Sequence, residues 1–214
     1  MSMNMNEAAF FAHTKLPTEF GEFDVRVFKE DDKEHLAISC GDVSGAENIT
    51  VRVHSECLTS EVLGSLKCDC KAQLDLALKT IAAEGRGVVF YLRQEGRGIG
   101  LGNKIRAYSL QEQGADTVDA NRLLGLEDDT RSYQVAADML EALGIESVRL
   151  MTNNPEKVSG LESFGVNVVE RVDAVAGVNH INREYLVTKT RRMGHLIEDE
   201  ELAEPKSRWR VVSS

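Results

Sequence analysis

The sequence has no run of about eighteen or more apolar residues, so no membrane-spanning helix is expected. It is also short of positive charge. Its 25 Lys and Arg face 35 Asp and Glu, a formal net charge of -10. A general nucleic-acid binder needs a strongly basic face, so no nucleic-acid partner is expected. A nucleotide pocket needs only a few local cations and is not excluded. No Lys or Arg precedes Lys15, and Met1 to Ala12 carries Glu7. That stretch lacks the basic start and apolar core of a secretory signal, and a cytoplasmic location is expected. Cysteine is scarce, with four in 214 residues: Cys40, Cys57, Cys68 and Cys70. Disulfides are rare in the cytosol, where clustered cysteines more often bind metal. Cys68 and Cys70, one residue apart, are poorly placed to bridge each other. There is no internal repeat and no linker that would divide two domains.

What is present is ordinary for a soluble globular chain: 42% hydrophobic and 28% charged residues, in a length ample for a real core. Phe23-Asp24-Val25-Arg26-Val27 alternates with period two, which predicts a half-buried strand with Phe23, Val25 and Val27 inward. Phe28 breaks the alternation, so the strand ends or becomes buried on both faces there. His35 to Cys40 is expected to pair with it. Thr50 to His54 forms a further strand, with Val51 and Val53 on one face and Arg52 and His54 on the other. From Cys70 the period becomes helical through Leu74, Ala77, Leu78 and Ile81, with a glycine stop at Gly85. Val88 to Leu92 reads as a buried strand, 103–113 and 132–143 as helices, Val148 to Met151 as a strand, Pro155 to Phe164 as a helix and Val166 to Val172 as a strand. The alternation predicts an α/β fold with a strand-rich N-terminal part. One domain is expected over 15–196, with flexible segments at 1–14 and 197–214, the latter acidic and then basic.

Cys57, Cys68 and Cys70 form C-x10-C-x-C. A structural zinc site takes four protein ligands, whereas three leave a position open for water, whose pKa the metal lowers. Cys-Asp-Cys lies in a polar stretch, where burial as small apolar side chains gives a poor account of it. Cys40, alone in a strand, reads as such a buried residue. From spacing alone, a catalytic site and a structural site with His54 as fourth ligand both remain open.

Arg93 to Leu101 is a glycine-rich loop between a strand and a helix. Gly96, Gly98 and Gly100 let the backbone approach a ligand, and Arg97 can fork onto phosphate oxygens; a tight turn is the plain alternative. The loop matches neither the dinucleotide fingerprint nor the P-loop. Asp128 to Arg131 precedes a helix that Asp129 or Thr130 could simply cap. Thr152-Asn153-Asn154-Pro155-Glu156-Lys157 ends a strand, where open α/β sheets bind ligands.

Taken together, Arg52-Val53-His54-Ser55-Glu56-Cys57-Leu58-Thr59, Cys68-Asp69-Cys70, Arg93 to Leu101, Asn103-Lys104-Ile105-Arg106-Ala107-Tyr108 and Thr152 to Pro155 closely resemble GTP cyclohydrolase II, in family order from about Lys15 to Leu196. The resemblance implies mixed sheets with flanking helices in that family's α/β fold, and a homodimer. Cys57, Cys68 and Cys70 would hold one catalytic Zn2+ per chain. Arg52, Val53, His54, Ser55, Glu56, Gln73, Glu95, Gly96, Arg97, Thr117, Thr152 and Lys157 would bind GTP, with Glu95 reading the guanine edge. Asp129 would accept a proton, Arg131 would act as nucleophile on the α-phosphorus, and Tyr108 stands where the family's tyrosine stands. An unperturbed guanidinium is always protonated, so Arg131 would need help from Asp129 or the phosphates. The implied reaction opens guanine at carbon 8, releases formate and pyrophosphate, with Mg2+ on the triphosphate, and yields 2,5-diamino-6-ribosylamino-4(3H)-pyrimidinone 5′-phosphate, the first committed step of riboflavin synthesis. A relative that keeps the formyl group and a zinc-stabilised nucleotide-binding module are the alternatives. Lys67 and Lys71 depart from the family pattern, where Arg and a small residue are expected, and the companion synthase domain of some members is absent.

Overall fold

The computed structural model describes residues 10–127, 129–198, 200 and 202. Asp128, at the start of the segment before Arg131, lies outside the described residues. A seven-stranded mixed sheet forms the centre, in the order β1-β2-β3-β5-β4-β6-β7. The first three strands, β1 (Ala12–Thr18), β2 (Gly21–Glu30) and β3 (Lys33–Cys40), form an antiparallel meander, which joins β5 (Gly87–Leu92) antiparallel. From there β5, β4 (Ile49–Ser55), β6 (Val148–Met151) and β7 (Val168–Val172) run parallel.

Parity along the central strands sorts the two cores. Val88, Phe90 and Leu92 of β5, with Val51 and Val53 of β4, pack on α5 (Gln134–Ala142) and α6 (Pro155–Ser163) through Ala136, Met139, Leu140 and Leu161. Val89 of β5 and Met151 of β6 turn to the other face, onto Ala77 and Ile81 of α2 (Cys70–Glu84). Strands buried on both faces read as near-continuous apolar runs, which is why Val88 to Leu92 shows no alternation. The same holds in β2. It continues past Phe28 to Glu30, because Phe23 and Phe28 fill opposite cores.

The parallel strands determine where a ligand goes. β4 leads through α1 (Leu58–Glu61) and α2 to β5 on one side. β5 leads through α3 (Gly100–Glu112), α4 (Thr117–Leu123) and α5 to β6 on the other. The connections from neighbouring strands therefore diverge at the carboxyl end of β4, where open α/β sheets form a crevice.

Several boundaries differ from the sequence expectation. Ala12, His13 and Thr14, expected in a flexible segment, pair with Val27, Arg26 and Val25; backbone ladder bonds do not depend on the exposed side chains of β1. α3 begins at Gly100, three residues before the expected Asn103. Ile197 and Leu202, in the expected tail, are buried beside Leu186 of α7 (Arg183–Met193), a helix the apolar pattern does not announce. Residues 1–9 and 203–214 lie outside the described residues. Among the described residues, no helix is long and apolar enough to cross a membrane.

Candidate active site

A cavity of about 510 Å3 opens at the carboxyl end of β4, between α2, α3 and α7. β4 delivers Arg52 and His54 to the α2 side of the sheet by strand alternation, and Ser55 and Glu56 follow at its end. Val53 has the opposite parity. Its side chain lies in the core, and only its carbonyl takes part, accepting a 2.6 Å hydrogen bond from Lys157 Nζ.

Cys57, Cys68 and Cys70 converge on one wall, with their sulfurs all within 4.8 Å of one another. Cys57 Sγ lies 3.6 Å from Cys68 Sγ. Zinc–thiolate bonds of about 2.3 Å at tetrahedral angles put sulfurs about 3.8 Å apart, so the trio fits the metal. All four cysteines are free thiols, and Cys40 stands apart on β3. Hydrogen bonds from Cys68 and Cys70 hold the Cys57 thiol far below its usual range, while the same contacts and burial raise the other two. His54 is not in the cluster. Its Nε2 lies 2.7 Å from Glu61 Oε1, its ring stacks on Tyr91, and the Tyr91 hydroxyl donates to the same carboxylate. Among the described residues the three sulfurs have no fourth side-chain ligand beside them, the donor set an open site takes.

The loop after β5 closes over Cys57. Gly96 and Arg97 both adopt left-handed backbone, at φ +62° and +64°. A Cβ on Gly98, at φ +91°, would meet Thr130 Oγ1 at 2.2 Å. Glu95 is buried, and its carboxylate is already engaged: it accepts from Leu58 N at 2.7 Å, Gly96 N at 2.8 Å and Lys104 Nζ at 2.7 Å. In this arrangement it ties the cysteine wall to the loop, with both oxygens engaged. Lys104, one turn into α3, also reaches Cys57 Sγ at 3.1 Å. Burial works against its charge, but the bonds to Glu95 and Cys57 prevail and raise its pKa. Glu56 pairs with Arg93 at 2.6 Å, and burial raises its pKa. Tyr108 faces the cavity from α3, its hydroxyl pushed up to about 12 by burial.

The cavity also gathers Arg52, Arg97, Arg131 and Lys157, against the sign of the whole chain. Arg131 forks onto Asp129 through Nε, at 2.9 Å, and Nη2, while Nη1 donates to Ser55 Oγ at 3.3 Å. Burial opposes the Arg131 charge, yet the Asp129 hydrogen bonds raise its pKa. Asp129 stands behind Arg131; burial pushes its pKa up, but the Arg131 bonds outweigh this and leave it lowered. Arg52 donates to the Met151 carbonyl at 2.9 Å and to Gln73 Oε1. Lys157 is pushed well below its usual pKa by burial and then by the charges of Arg52 and Arg131. Thr152 caps the turn after β6, accepting from Asn154 N at 3.1 Å. Thr117 opens α4, and its side chain lies outside the described set.

Sequence reasoning missed five groups at this site. Asp69 is buried between the cysteines, and Glu61 anchors His54. Lys104 sits inside a quoted motif, so a signal for it existed. Lys189 and His195 line the cavity from the C-terminal segment, where nothing in the local pattern marks them. Four buried polar atoms without a partner, Arg52 Nε, His54 Nδ1, Gln94 Oε1 and Asn153 Nδ2, belong to cavity-lining residues. Such atoms cost about 1–3 kcal/mol each until a ligand or water satisfies them.

Known proteins bear on this site. The sequence model described as GTP cyclohydrolase II matches residues 9–173. The GTP cyclohydrolase-2 of Hahella chejuensis is 55% identical over 190 residues, which is 88% of this chain and 92% of that protein. That of Pseudomonas aeruginosa is 55% identical over 88% of this chain and 93% of its own length. That of Haemophilus influenzae is 55% identical over 90% and 91%. A solved two-domain 3,4-dihydroxy-2-butanone 4-phosphate synthase from A. baumannii superposes with a TM-score of 0.42 at 20% identity, over 75% of this chain and 39% of that one. With the matching model covering most of the sheet and the relatives nearly the whole chain, the protein belongs to the GTP cyclohydrolase II family.

Proposed function

We propose that the protein hydrolyses GTP to 2,5-diamino-6-ribosylamino-4(3H)-pyrimidinone 5′-phosphate, formate and pyrophosphate, in the cytoplasm, as a step of riboflavin synthesis. The observation that carries this is one cavity lined both by the three clustered cysteines and by Arg52, Arg131 and Lys157. Burial, and then the charges of Arg52 and Arg131, depress Lys157, and a triphosphate beside these cations would supply countercharge. Cys57, Cys68 and Cys70 would hold zinc, which would supply Lewis-acid activation of a water for hydrolysis. Mg2+ enters with the triphosphate as part of the substrate.

The chain's own groups orient the reaction. Arg52, Arg97, Thr152 and Lys157 hold phosphates and ribose, His54, Ser55, Glu56 and Gln73 bound the base, and Tyr108 stands beside the cysteines to hold a proton at its hydroxyl. Glu95 and Gly96 fix the loop that brings these together. Asp129 and Arg131 serve the α-phosphate. The resemblance assigns Arg131 as nucleophile and Asp129 as its base, but a forked pair with a raised guanidinium pKa favours a second reading, a cation that stabilises the phosphate. A cold, mildly alkaline denaturing quench, which preserves an acid-labile phosphorus–nitrogen bond, and mass spectrometry separate them: a nucleotidyl adduct on Arg131 belongs to the first reading, its absence during turnover to the second.

A homodimer is part of the proposal. Exposed Leu63 and Ile105 line a shallow groove, and Val62 and Leu66 nearby in sequence are exposed as well, a surface suited to a second copy. Sedimentation gives the mass. The reaction itself is tested by incubation with GTP, Zn2+ and Mg2+. Formate and pyrophosphate are expected, whereas a formamide product without formate would show a relative that stops at ring opening.

A further inference from the structure

α7 lies wholly beyond residue 173, where the family model stops. It nevertheless forms a wall of the cavity. Glu184, Tyr185 and Thr188 recur at helical spacing and face it, and Lys189 follows at one turn from Tyr185. The segment is tied down at several points. Arg192 pairs with Asp116 and Asp119 of the α4 region, Leu196 N donates to the Asn153 carbonyl at 2.8 Å, and Leu186 packs on Ile197 and Leu202.

It reaches the cysteine wall through Lys189. The ammonium lies 3.0 Å from Asp69 Oδ1, with the two side chains only 11% and 3% exposed. Asp69 Oδ2 accepts from Gln73 Nε2 at 2.6 Å, Gln73 Oε1 accepts from Arg52, and Arg52 donates onward to the Met151 carbonyl. A single buried chain of hydrogen bonds thus runs from α7, through the residue between Cys68 and Cys70, to the guanidinium at the carboxyl end of β4. Both oxygens of Asp69 are used, and among the described residues the Lys189 ammonium has beside Asp69 the Tyr185 ring, at 4.6 Å.

We propose that Lys189 is a positioning residue: by holding Asp69 it sets the Cys68-Asp69-Cys70 loop and, through Gln73, the pose in which Arg52 meets the nucleotide. Without the ammonium, Asp69 becomes a buried carboxylate with one oxygen unpaired. The nearest relief is to turn towards Arg52, which breaks the Gln73 link and draws the guanidinium off the ligand. The nucleotide part of this rests on the cavity being a GTP site, and the cysteine-loop part does not.

The test compares Lys189→Met and Lys189→Arg with the wild type. One readout is equilibrium binding of GTP to zinc-free protein, and the other is retention of zinc against a chromophoric chelator. K189M is expected to bind GTP about tenfold or more weakly, the loss typical of a charge-assisted hydrogen bond, and to lose zinc faster, while K189R restores both. A folded K189M with wild-type GTP affinity and wild-type zinc retention overturns the proposal, even if its melting temperature falls. If wild-type protein binds no GTP, the functional reading fails and zinc retention alone decides Lys189, with equal retention overturning it. Should K189M not fold, Lys189→Gln, which keeps a donor but no charge, takes its place under the same criteria.

Discussion

His195 gives the docking of the C-terminal segment a pH dependence that can be worked out. The ring lines the cavity, with Nδ1 3.4 Å from the Met193 carbonyl. Burial, reinforced by the charge of Lys189, pushes its pKa down from 6.5 to about 3. A folded pKa below the unfolded one means that the neutral ring is what the folded state accepts. The contribution to stability is full above pH 6.5 and is lost as pH falls from there towards 3. At pH 5 the unfolded ring is almost wholly protonated and the folded ring is not. The gap of about 1.5 pH units, at about 1.4 kcal/mol each, costs about 2 kcal/mol. The assay is urea unfolding of the wild type and of His195→Asn at pH 7.5 and pH 5. The wild type should lose about 2 kcal/mol more between the two than H195N does, because other titrating groups cancel in the comparison. Equal losses in the two proteins would refute the reasoning, and so would a larger loss in H195N.

Three further outcomes follow from the site. Cys68→Ser should lose zinc and formate release together, as measured by elemental analysis and product assay; full zinc with no turnover would count against the ligand assignment. Asp129→Asn leaves Arg131 a buried guanidinium with its fork gone, and urea unfolding should show a loss of about 2 kcal/mol, below the range for fully buried pairs because Asp129 is partly exposed. Gly98→Ala drives a Cβ into Thr130 at a left-handed backbone position, so turnover should fall with a stability loss of about 1–3 kcal/mol by thermal melting; an unchanged enzyme would mean that the loop moves freely.

How far the sequence foretold this is clearest at particular elements. β4, β5, α2, α5 and α6 were legible because their apolar periods match their burial, and Gly85 and Pro155 mark boundaries they occupy in the structure. The cysteine trio was legible as a metal candidate by spacing, and its purpose only through the motifs around it. β1 was not, since its side chains are nearly all exposed and its place comes from pairing with β2. α7 was not, because the face it turns to the cavity is polar: Glu184, Thr188 and Lys189 serve the site and carry no apolar stripe. Asp129 reads equally well as a helix cap, and only the fork to Arg131 separates the two. Glu95 shows the reverse case, a residue marked for substrate whose oxygens the structure finds bound to Leu58, Gly96 and Lys104.

The central claim is that three cysteines hold a metal on which the opening of guanine depends. Zinc can be removed with a chelator and returned in known amounts while formate release from GTP is followed. Formate release should vanish in the stripped protein and return in proportion to zinc, levelling at one per chain. Formate release that persists without zinc, or that zinc fails to restore to folded protein, would contradict the account.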